Sequence, residues 1–71
     1  MNHASLVLRL TETEQHLRNT EFLIERQHSW IYKLDHGGRT SLAEREALDI
    51  LQLSRGTIVV ERDRLLERLA H

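Results

Sequence analysis

The chain contains no cysteine and no proline. Without thiols it can form neither a disulfide nor a thiolate-ligated metal site, a composition compatible with a reducing cytoplasm. Without proline, nothing but glycine can punctuate it strongly, and there are only three glycines in 71 residues. Aromatic residues are as scarce: one Trp, one Tyr and one Phe. Neither sign of charge dominates, since 10 basic residues stand against 11 acidic ones for a formal net charge of −1. A chain with no basic stripe and almost no stacking aromatics is not expected to bind nucleic acid or an anionic membrane surface. The longest apolar runs are Leu6-Val7-Leu8 and Ile58-Val59-Val60, far short of the ~20 residues that a membrane-spanning helix needs. The opening stretch MNHASLVLRLTETE has no basic head followed by a sustained apolar core, so no cleaved leader is expected. The expected location is cytoplasmic.

A chain this short makes one domain at most, and so small a domain buries a modest fraction of its surface. Small domains are usually supported by disulfides, a metal or oligomerisation, and the first of these is excluded here.

The one break in the pattern is His36-Gly37-Gly38-Arg39-Thr40-Ser41. Gly37, which has no Cβ, can take the left-handed conformation that closes a helix. Ser41 and Glu44 read as a capping box, in which the serine hydroxyl accepts the Glu44 amide and the glutamate reaches back. The sequence therefore predicts a helix over about residues 4–35, a turn over 36–41 and a second helix over about 42–69. The first helix carries a seven-residue ladder of Leu10, Leu17, Ile24 and Ile31, extended by Leu6 and Leu34. The second carries Leu51, Ile58 and Leu65, flanked by Ala47, Leu48 and Leu69. Such spacing puts each set on one helical face. The pairs Ile24 with Leu51, Leu17 with Ile58, Leu10 with Leu65 and Leu6 with Leu69 share one centre, between Gly37 and Gly38. Ladder and turn chemistry thus agree on an all-α antiparallel helical hairpin. The weak stretch is Ser54 to Val60, where Gly56 and the β-branched residues after it disfavour a helix. No other strand candidate exists to pair with it, so a continuous helix is expected.

Two helices packed along one seam do not cover every apolar side chain. Phe22, Leu23 and Trp30 on the first helix, and Ile50, Leu53, Val59, Val60 and Leu66 on the second, fall outside the narrow seam. A stripe this wide suits a helix with two neighbours, so the hairpin is expected to pair with a copy of itself as a four-helix bundle. Phe22, Leu23, Trp30, Ile50, Leu53 and Val60 are the expected interface, with Trp30 as its anchor. Rim charges such as Arg9, Arg18 and Arg26 would set partner choice, and another protein could take the place of the second copy.

Glu14-x-His16, Gln27, Ile31-x-x-Leu34, Gly38, Ser41, Ala47-Leu48, Leu51 and Arg62-Asp63-Arg64-Leu65 follow one another without gaps over the stretch from Glu14 to Leu65. In this pattern the chain resembles a group of uncharacterised short helical proteins common in nitrogen-fixing soil bacteria. The turn of that group usually reads G-H-D-T, where this chain has Gly38-Arg39-Thr40-Ser41. The resemblance implies a bacterial helical hairpin and carries no activity or site with it.

Two patterns bear on chemistry. His16-Leu17-Arg18-Asn19-Thr20 is similar to the phosphoacceptor box of sensor histidine kinases, which also dimerise through a helical hairpin. In that box an acidic residue follows the histidine and a proline comes later; here Leu17 follows and there is no proline. Phosphoacceptance at His16 is the alternative function. Glu25-x-x-His28 is the half-motif of di-iron four-helix proteins, in which residues three apart share a metal; by the hairpin register Glu46 or Asp49 could approach it. It stands as a lesser alternative, because Glu25 is turned away from the main stripe. No nucleophile–base–orienter set and no phosphate-cradling glycine loop are present. The expectation is a non-enzymatic interaction module with no cofactor and no metal.

Overall fold

The computed structural model describes residues 2–71, which form two α-helices, α1 (His3–His36) and α2 (Leu42–Ala70). They lie antiparallel in a rod of 54 × 14 × 14 Å. At about 1.5 Å per residue each helix runs most of the rod's length. Among the described residues there is no strand, and no helix is long and apolar enough to cross a membrane.

Both ends of α1 are closed by identifiable chemistry. At its start the Asn2 side chain accepts the Ser5 amide at 2.8 Å, satisfying one of the backbone donors that a helix leaves orphaned. At its end Gly38, with φ of 72°, takes the left-handed position. The Arg39 amide donates to the Leu34 carbonyl (3.0 Å) and the Gly38 amide to the Asp35 carbonyl (3.3 Å), the two bonds of a Schellman closure. This corrects the sequence expectation for Gly37, whose φ is −83°. The left-handed residue is the one past the cap, because only there can the two backbone amides turn back onto the last carbonyls.

The capping box at Ser41 and Glu44 does not form. Ser41 is the N-cap residue of α2, but its side chain makes no bond to the helix backbone. Its hydroxyl proton goes to Asp35 Oδ1 (2.6 Å), and its oxygen accepts Arg45 Nε–H (2.9 Å). Arg45 also pairs with the Asp35 carboxylate. Arg45 Nε–H occupies the hydroxyl's acceptor site that a helix amide would otherwise use, and its charge strengthens that bond. The turn is thus tied by a Ser41–Asp35–Arg45 cluster linking the last turn of α1 to the first of α2.

The buried apolar core consists of Leu17, Ile31 and Leu34 from α1, and Leu48, Ile58 and Leu65 from α2. Leu65 is the most enclosed, at 2% exposure. Leu6, Leu10, Ile24, Leu51 and Leu69, expected beside them, are only half-buried. Leu34, expected to extend the ladder, and Leu48, expected to flank it, are buried. The reason is the second series of α1, which alternates with the ladder at three- and four-residue steps: Thr13, Thr20, Gln27 and Leu34. Three of its four members are polar, yet Thr20 is 5% exposed, and Gln27 donates through Nε2 to the Glu44 carbonyl of α2 at 2.8 Å. The seam is therefore mixed, and its apolar rungs are covered unevenly. Besides Arg45–Asp35, two ion pairs, Arg9–Glu61 (2.6 Å) and Arg55–Glu21 (3.3 Å), cross between the helices. Helix α2 runs unbroken through Gly56 and the β-branched residues after it.

Candidate protein-interaction face

The helix period divides the hairpin into two flanks. On one flank lie Arg9, His16, Leu23 and Trp30 of α1, seven residues apart, beside Ala47, Ser54, Glu61 and Arg68 of α2. The Arg9–Glu61 ion pair joins the two series. The opposite flank carries Asp35 and Arg45, paired at the turn.

The first flank is apolar over the half nearer the turn. There Phe22, Leu23, Trp30, Ala47 and Ile50 line an open groove of about 1000 Å³ whose floor includes Gln27 and Leu51. Trp30 is 49% exposed and Ile50 68% exposed, which leaves large apolar areas in water on one side of the rod. A second, shallower depression on α2 is lined by Leu53, Gly56, Thr57 and Val60. All six residues expected at the interface are exposed on the hairpin. Four of them (Phe22, Leu23, Trp30 and Ile50) share the main groove, and Leu53 and Val60 share the other. Val59, expected outside the seam, is half-buried within the hairpin.

Charged groups edge the groove. Arg26 lies with its guanidinium carbon 5.9 Å from the centre of the Phe22 ring, and Lys33 lines the same groove. Of the other arginines expected on the rim, Arg9 is held by Glu61 and Arg18 donates to Gln15 Oε1 at 3.2 Å. At the turn the Ser41 hydroxyl chiefly, helped by the Arg45 guanidinium, holds the Asp35 carboxyl below its ordinary value against an opposing desolvation.

The two chemical patterns fare differently from the apolar groove. His16 is exposed, and among the described residues no carboxylate pairs with its ring. Glu25 and His28 are both exposed, and no set of three potential metal ligands gathers among the described residues. His36, at the end of α1, stacks on Tyr32 with ring centres 3.9 Å apart, and its Nδ1 lies 2.9 Å from the Tyr32 carbonyl oxygen.

Sequence reasoning missed the polar half of the seam. Thr13, Thr20 and Gln27 repeat every seven residues, as regularly as the leucines beside them. Their spacing was the available signal, masked by the leucine and isoleucine ladder beside it.

Compared with family models, with curated proteins and with solved structures, the chain matches none.

Proposed function

We propose that the chain is a small non-enzymatic oligomerisation module whose hairpin pairs with a second copy to close a four-helix bundle. The reading rests on one observation: Phe22, Leu23, Trp30 and Ile50 converge on one open groove while remaining largely solvent-exposed. Contiguous exposed apolar area marks an interaction surface on a soluble chain, and a two-helix chain of this size gains stability by covering it. The homo-oligomer offers protein-binding surfaces along its flanks, where Leu53 and Val60 remain for another protein. The resemblance to short helical proteins of nitrogen-fixing bacteria suits a bacterial hairpin of this kind and supplies no activity.

Phosphoacceptance at His16 would require a carboxylate near the imidazole to manage its proton, and none pairs with it among the described residues. A metal site at Glu25 and His28 would require further ligands from a partner.

The test is the mass of the untagged chain in solution. Sedimentation equilibrium is expected to give at least twice the 8.4 kDa of one chain. A fully helical monomer at high protein concentration would remove the proposal.

A further inference from the structure

Resting on that self-association, we infer how the second copy sits: the two hairpins lie side by side with their turns at the same end, each α1 covered by the α2 of the other.

The lengthwise distribution of polarity carries this. Along the groove-bearing flank, the half near the turn presents Leu23, Trp30 and Ala47, and the half near the termini presents Arg9, His16 and Glu61. Turning one hairpin end over end across the full length would set Trp30 and Leu23 against the partner's His16 and Arg9, desolvating charged groups without apolar gain. With the turns at one end, a two-fold axis runs along the rods, and residues at similar distance from the Gly37–Gly38 link meet. Trp30 then lies within two residues of the level of the partner's Ala47, and Leu23 within two of the partner's Ser54. A large side chain thus faces a small one at both levels, as interdigitated packing requires.

The rim charges agree. Glu12, Arg26 and Lys33 repeat along the outer edge of that flank on α1, and Glu46 and Arg64 lie on the outer edge of α2. With the turns together, Glu12 and the partner's Arg64 stand at nearly the same distance from the link. Glu46 stands between the levels of the partner's Arg26 and Lys33. None of these five forms an ion pair within the hairpin among the described residues, so all are free to pair across the interface. These opposite-sign pairs, Glu12 with Arg64 and Glu46 with Arg26 or Lys33, are the complementarity that a surface recognising itself in this orientation would use.

The absence of cysteine makes the orientation directly measurable. A single nitroxide placed by Arg39→Cys reports the separation of the two turns by pulsed dipolar spectroscopy. With the turns together it is expected at about 20–30 Å, the width of two or three helices. A separation near the 54 Å length of the rod, in a sample whose mass is that of a dimer, overturns the orientation and leaves self-association standing. A monomeric mass overturns both.

Charge reversal gives a second, independent reading. Glu12→Arg should raise the dimer dissociation constant about tenfold, because two symmetric rim contacts are lost and each is replaced by repulsion. Adding Arg64→Glu to the same chain should restore it to within about twofold. A double variant as weak as the single one, with helicity unchanged, removes the pairing.

Discussion

Ser41 donates its hydroxyl proton to Asp35 Oδ1 across 2.6 Å, joining the last turn of one helix to the N-cap of the next. Ser41 is almost fully buried, whereas the carboxylate remains open to solvent. With Arg45 Nε–H on its oxygen, the hydroxyl makes no helix cap and ties α1 to α2 instead.

This contact makes part of the stability pH-dependent. The folded pKa of Asp35 lies below its ordinary value, chiefly because of the Ser41 hydroxyl and then Arg45. A depressed carboxyl pKa contributes stability that is present above the unfolded value of about 3.9 and lost as pH falls through the folded one. Thermal melts between neutral pH and pH ~2 should therefore show a steeper acid decline for the natural chain than for Asp35→Asn or Ser41→Ala. Parallel curves for all three would mean that the cluster does not couple to folding.

The glycines divide by backbone need. Gly38 holds a φ of 72°, where a Cβ is strained whatever the space around it; Gly38→Ala should lower stability by about 1–2 kcal/mol. Gly56 sits inside α2 with nothing within 4 Å of a built Cβ. There Gly56→Ala should raise stability by roughly 1 kcal/mol, a melting shift of several degrees for a domain this small. Opposite signs in denaturant unfolding are the expected result, and a matching sign for the two would be the contrary one.

Leu65, 2% exposed, and Leu42, 66% exposed, are the same residue type on the same helix. Leu65→Ala should cost about 2–5 kcal/mol and leave the chain largely unfolded by circular dichroism. Leu42→Ala should stay within about 0.5 kcal/mol of the natural chain.

Trp30 is the only tryptophan, so its emission reports the groove alone. If a second copy covers the groove, the emission maximum should move to shorter wavelength as protein concentration rises. Trp30→Asp should weaken assembly while sparing most of the helicity, whereas Ile24→Asp, on the ladder, should collapse both. A maximum independent of concentration across the range in which the mass doubles would place Trp30 outside the interface.

The hairpin itself was legible because its signals are local and repeated. Leucine and isoleucine every seven residues, a double glycine at their common centre and no proline anywhere leave two helices and one turn as the consistent reading. The six exposed apolar residues were legible for the same reason: helical period alone separates them from the seam. Asn2 was the least conspicuous local signal, a single cap residue before a helix that begins almost at the terminus.

What sequence alone determined, then, was which residues share a face, since that follows from the helical repeat and needs no neighbour. Tertiary structure decided how those faces are used. The Ser41 hydroxyl had two acceptable roles, and only the approach of Asp35 and Arg45 across the turn chose between them. Thr20 and Gln27 are ordinary polar residues in a list, and become seam residues only because α2 covers that side of α1. Gly38 rather than Gly37 turns left-handed because the returning amides of Gly38 and Arg39 must reach the carbonyls of Asp35 and Leu34. Each of these outcomes is a competition between bonding partners distant or ambiguous in sequence, and a competition is settled only when both contenders are in place.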